Sequence, residues 1–160
     1  MHPGLDLGLL LLRLLLGGLI AAHGAQKLFG WFSGHGPKGT APIFESWGLR
    51  PGTSMVRLAA FCEITGSVLI VLGLFTPLGA AAIADTLLVA ASIFWGKGIW
   101  ATGGGYELPF LYAACAVVLG FTGPGAWSLD HAMGFHPGDN PIWGLAALVA
   151  AVAAAGVVVS

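Results

Sequence analysis

Charge is the scarcest commodity in this sequence. Only 8% of the 160 residues are Asp, Glu, Lys or Arg, against roughly a quarter in ordinary globular domains. A soluble fold of this length could not cover its surface with so few, whereas a bilayer needs no such covering. The six basic and seven acidic side chains leave a net charge of −1, so there is no basic surface to suggest nucleic acid. Cysteine is nearly absent too. Cys62 and Cys115 lie inside apolar runs and form no C-x-x-C pair, which favours small buried hydrophobes over a redox centre. The sequence also lacks a C-x-x-C-H haem attachment and a Ser-His-Asp order. The first residues, Met1 to Asp6, carry no Lys or Arg, and the apolar run that follows exceeds a signal-peptide core, so it reads as a retained span.

What is abundant is hydrocarbon: 57% of residues are hydrophobic and the mean hydropathy is +0.89. A membrane-crossing helix takes about 20 mostly apolar residues. Five stretches approach that, at 7–29, 56–75, 78–95, 106–121 and 142–159. Glycine and proline punctuate the intervals, and Thr76-Pro77 is so short a break that the second and third spans must form a tight antiparallel hairpin. Trp31, Trp95, Trp100, Tyr106, Trp127 and Trp143 fall at span ends, where aromatic belts form. An open sheet is excluded because lipid cannot satisfy its edges. The expected fold is therefore all-α, a polytopic transmembrane helical bundle. Residues 41–49 are expected to form a short interfacial helix with Ile43, Phe44 and Trp47 toward lipid.

Five spans place the termini on opposite sides of an inner (cell) membrane. Lys27, Lys38, Arg50, Arg57 and Lys97 gather on one face, while the Thr76-Pro77 turn and the 128–141 loop carry no Lys or Arg. The positive-inside rule then puts the N-terminus outside and the C-terminus in the cytoplasm.

The informative residues are those that lipid rejects. Arg13, His23 and Lys27 lie in the first span, Glu63 in the second, Asp85 in the third and Glu107 at the start of the fourth. Each costs a few kcal/mol at membrane depth unless paired inside the bundle. Small residues border them, so the charged faces are also the packing faces. Depth along the helices, at 1.5 Å per residue, sorts them into two layers. Arg13 and Asp85 are expected to pair near the outer side as a structural lock. His23, Lys27, Glu63 and Glu107 form a second cluster near the cytoplasmic side. Two cations face three carboxylates across the set, and protonation of His23 balances them, which suits a proton acceptor. A purely structural role for all six remains the plain alternative.

Two further patterns are discounted. Gly34-His35-Gly36-Pro37-Lys38-Gly39 spells G-x-G-x-x-G but follows a membrane helix, so no dinucleotide site is expected. Asp130, His131, His136 and Asp139 sit among Gly and Pro, so a solvated loop is preferred over a metal site and no metal is expected.

Several segments together resemble the DoxX family: Leu12-Arg13-Leu14 and His23-Gly24-Ala25-Gln26-Lys27-Leu28 in the first span, Glu63-Ile64-Thr65-Gly66 through Leu72-Gly73-Leu74-Phe75-Thr76-Pro77 in the second, Gly104-Gly105-Tyr106-Glu107 before the fourth, and Ser128-Leu129-Asp130. The resemblance spans residues 7–130 and implies a four-helix DoxX-like core over 1–130. Residues 131–160 are then a loop and an additional C-terminal transmembrane helix. DoxX proteins are similar to the large membrane subunit of thiosulfate:quinone oxidoreductase, and some are associated with membrane complexes containing a superoxide dismutase and a thiosulfate sulfurtransferase. The resemblance thus implies a membrane-embedded subunit of a redox system, quinone-linked, acting on sulfur or thiols; the family's residues map onto Arg13, His23, Lys27, Glu63, Asp85 and Glu107, of which the depth sorting makes His23, Lys27, Glu63 and Glu107 the expected site. A quinone is the expected cofactor, nothing is expected to be covalently bound, and other redox subunits or a second copy are the expected partners besides the bilayer. The competing readings are a non-catalytic membrane scaffold that recruits soluble oxidoreductases through residues 31–50, and a small proton-coupled permease.

Overall fold

The computed structural model describes residues 2–159. All regular secondary structure among them is helical: α1 (Pro3–Phe29), α2 (Gly36–Ser46), α3 (Gly52–Leu72), α4 (Thr76–Phe94), α5 (Glu107–Thr122), the single turn α6 (Leu129–Ala132) and α7 (Ile142–Val159). Four helices are long and apolar enough to cross a membrane: α1, α3, α4 with its short 3-10 extension, and α7. The chain is a multi-pass helical membrane protein.

Helix α5 has 16 residues, about 24 Å of helix, short of the roughly 30 Å hydrocarbon core. It nevertheless runs the full depth of the bundle. At one end, Tyr106 and Glu107 N–H donate to the carbonyls of Gly98 and Ile99 beyond α4 (3.2 and 2.8 Å). At the other, the carbonyls of Pro124 and Trp127 meet Arg13. Flanking non-helical segments supply the missing length.

Starts and stops follow local chemistry. Proline occupies the first turn of α1, α2 and α4, where its missing N–H costs nothing. Gly30 and Gly73 end α1 and α3 in the left-handed region. Asn140 Oδ1 accepts from Ile142 N–H (3.0 Å) to open α7. The residues expected at span ends were placed within a few positions, but α1 and α3 each begin four residues earlier than hydropathy alone predicts, at Pro3 and Gly52.

The main core joins Leu16 and Ile20 of α1, Ile70 of α3, Ile83 of α4, Leu119 of α5 and Ala151 of α7. Helix α7 lies against α4 and α5 through Gly144, Ala147, Ala151 and Ala155, so the fifth long helix is a wall of the same bundle. Helix α2 packs on α3, and its Phe44 is buried with Leu49, Val56 and Val89. That corrects the expectation for Phe44, which points into the protein while Ile43 and Trp47 stay exposed.

Candidate functional site

The polar groups separate to opposite ends of the bundle, but not in the expected pairs. Arg13 is buried, and its guanidinium donates only to backbone carbonyls: Nε to Ile70 (2.9 Å), Nη2 to Val71 (2.7 Å), and Nη1 to Pro124 (2.9 Å) and Trp127 (2.8 Å). The expected Arg13–Asp85 ion pair is not formed. Depth explains it. Arg13 lies level with the last turn of α3, beside the start of α4, whereas Asp85 is nine residues further along α4, about 14 Å away on the helix rise.

The carboxylate at Arg13's level is Asp130. It is fully buried, and it caps α4. Its Oδ1 accepts from Phe75 N–H (2.7 Å), and its Oδ2 accepts from the N–H and hydroxyl of Thr76 (2.9 and 2.7 Å). Its own N–H donates to Gly73 O (2.8 Å). This clasp holds Phe75 in the left-handed region, at φ 44°, a conformation that costs a non-glycine residue of order 1–2 kcal/mol. Asp130 was expected in a solvated loop. The Gly and Pro around it instead let the chain fold back over the α3–α4 turn.

The other end holds a cavity of about 370 Å³ between α1, α2, α3, α4, α5 and α7. Small-molecule sites run from roughly 300 to 1,000 Å³. Its titratable groups are His23, Lys27, Cys62, Glu63, Asp85 and Tyr112, joined by the hydroxyls of Thr40 and Thr86 and set among apolar walls that include Phe44, Leu58 and Leu108. Lys27 Nζ pairs with Glu63 Oε1, the one salt bridge among the described residues. Glu63 is 2% exposed and Lys27 23%, so the pair is sheltered and weakly screened. His23 is exposed at the cavity's mouth.

Helix approach makes this pair possible. A Cβ on Gly24 would stand 2.7 Å from Ile64 Cγ1 and 3.2 Å from Ala60 O, and one on Gly17 would stand 3.2 Å from Ser67 O. Glycine at both positions lets α1 lie directly on α3, which brings the Lys27 ammonium to Glu63.

Three buried side-chain atoms have no hydrogen-bond partner among the described residues: Glu63 Oε2, Ser67 Oγ and Asp85 Oδ1. Glu63 and Asp85 line the cavity. Buried polar atoms are nearly always hydrogen-bonded, so atoms left without a protein partner call for a water, an ion, a proton or a ligand group.

Of the expected cluster, His23, Lys27 and Glu63 therefore share one cavity. Glu107 does not line it; its Oε2 accepts from Ala101 N–H (2.8 Å) and ties down the loop before α5. Asp85, Cys62 and Tyr112 join the site instead. Cys62 and Tyr112 carried no signal beyond their position in apolar runs, and Asp85 was assigned to the wrong layer. At the opposite end, the rings of His131 and His136 stack at 4.9 Å between centroids, and no group of three or more His, Cys, Asp and Glu side chains among the described residues converges as a metal centre requires.

Comparison with known proteins adds one finding. The sequence model of the DoxX family matches residues 8–96, over half of the chain, from α1 to the end of α4. No curated protein and no solved structure matches it.

Proposed function

The chain belongs to the DoxX family, and from that premise we propose that it is a membrane-embedded redox subunit whose cavity receives a quinone headgroup. The observation that carries this reading is the cavity itself, apolar on its walls yet holding the Lys27–Glu63 pair and two carboxyl oxygens without partners. The donor set fits both forms of such a ligand. Lys27 has two N–H donors left for a carbonyl oxygen, and Glu63 Oε2 and Asp85 Oδ1 can accept from hydroxyls.

When bound, a quinone would supply a two-electron, two-proton acceptor. Lys27 would stabilise negative charge developing on an oxygen beside it, in a sheltered setting where that effect is large. Glu63, fixed by Lys27, and His23 at the mouth would hold and exchange protons. The electrons would come from a partner subunit or a reduced sulfur compound, in keeping with the family theme. Exposed Ile43, Trp47, Leu58 and Leu108 line the cavity and would let a lipid-like tail lie toward the bilayer. Helix α2, central to the scaffold reading, forms a wall of this cavity, which favours a ligand site over a free docking loop.

The test is titration of the detergent-purified protein with ubiquinone and menaquinone analogues. Saturable binding is expected. Glu63→Gln removes a charge-assisted contact of about 1.5–3 kcal/mol, so affinity should fall about 10- to 150-fold, with a smaller loss for His23→Ala. Wild-type protein that unfolds cooperatively yet binds neither analogue would return the Lys27–Glu63 pair to a structural role.

A further inference from the structure

The geometry points to Asp85 as a proton-binding carboxyl of the cavity, distinct in role from Glu63. Its position is near the middle of α4, nine residues from the first, and one of its oxygens is buried without a hydrogen-bond partner. No cation among the described residues forms an ion pair with it. Lys27 pairs with Glu63, and Arg13 is bound at the other end to four carbonyls. The titratable groups that face the cavity from the surrounding helices are His23 and Lys27 of α1, Cys62 and Glu63 of α3, and Tyr112 of α5; α2 and α7 contribute none.

A bare carboxylate at that depth is strongly disfavoured, while a neutral carboxyl is tolerated. Glu63 escapes by pairing. Asp85 is half-buried, and its enclosed oxygen meets no donor from the protein, so a bound proton is what would relieve it. Two carboxyls in one cavity thus occupy contrasting environments, the arrangement that divides acid from base roles between like groups. In the proton step, the Asp85 O–H bond breaks, its proton passes to an oxygen receiving electrons in the cavity, and Asp85 is left as the carboxylate. A proton taken up from solvent by way of His23, which is exposed at the cavity's edge, then re-forms the Asp85 O–H bond. The destination of that proton rests on the redox reading above; the proton-binding site itself does not.

Dicyclohexylcarbodiimide tests the site directly, since it partitions into membranes and adds to protonated carboxyls in apolar surroundings. The full-length protein in detergent should acquire one adduct, mapped by mass spectrometry to the peptide containing Asp85. Its rate should fall about tenfold per pH unit once the carboxyl ionises. Asp85→Asn should lose the adduct, and Glu107→Gln should keep it. An adduct on Glu63 with Asp85 unmodified, or no adduct on a chain shown to unfold cooperatively, overturns the assignment. The mapping is made on wild-type protein, so it survives any folding defect in the variants. Labelling at Asp85 without analogue binding would remove the redox reading and leave the proton site, whereas analogue binding without labelling would do the reverse.

Discussion

Arg13 directs its guanidinium fork at four backbone carbonyls, two in the last turn of α3 and two in the segment after α5. Lysine offers a single point charge with no fork. Arg13→Lys is therefore expected to leave at least one or two carbonyls unpaired, at about 1–3 kcal/mol each, and to lower unfolding stability in detergent by about 2–4 kcal/mol. Asp130→Ala should cost at least about 2 kcal/mol by the same measurement, because three donors at the start of α4 lose their acceptor. Neither substitution touches the cavity, so ligand affinity per folded molecule should hold. The sequence marked Arg13 as a residue lipid rejects, and that was legible because the side chain carries its charge openly. Its partners were not, since every residue has a carbonyl and none advertises which will turn toward an arginine. Asp85 was matched to it by depth counted from the expected span ends, the one measure the sequence offers. Lys27 and Glu63 were legible as members of one cluster, with His23 and Glu107, because all four are side chains lipid rejects at a similar depth; which two would pair was not.

Among the elements, α1 and α3 approach closely through glycine. Gly24→Val would place side-chain carbon against Ile64 and the Ala60 carbonyl. The expected result is separation of α1 from α3, loss of the Lys27–Glu63 pair, and destabilisation of about 1–3 kcal/mol. Gly18 is the internal contrast: it is exposed, and a Cβ there meets nothing within 4 Å. Gly18→Ala should be neutral or stabilise by up to about 1 kcal/mol, and thermal unfolding of the two variants side by side checks both. Span positions were readable from hydropathy because lipid and core impose the same apolar requirement; the last helix was expected at 142–159 and lies at Ile142–Val159. Helix α2 was read less well. It was expected over 41–49 and lies at Gly36–Ser46, opening with Pro37 in its first turn and carrying Pro42 inside, where a proline reads from sequence as a start or a break rather than a helix interior. Its register, with Phe44 inward, depends on packing against α3 that no local pattern encodes.

At the level of the whole molecule, the cavity belongs to no single element. Helix α7 lies beyond the matched family segment, yet Val158 near its end lines the cavity. Val158→Trp should narrow the space and weaken binding of a quinone analogue while leaving the Lys27–Glu63 pair and the Arg13 clasp intact, as read by titration and unfolding together. Helix α1 starts at the Arg13 end, where Asp6 meets Ala126, and α7 finishes at the cavity, where Val158 is part of the lining. The clasp at the Arg13 end has a consequence for how the molecule is made. Arg13 reaches residues 111 and 114 positions later in the chain, and the Asp6 carboxylate accepts from Ala126 N–H, 120 positions on. A ribosome that has inserted the first three long helices has delivered the arginine and the helix end it caps, but not the carbonyls or the carboxylate that complete the clasp. The first helix can therefore settle on α3 with two of its four arginine bonds made, and the clasp is completed only when residues 124–130 emerge and fold back across the turn.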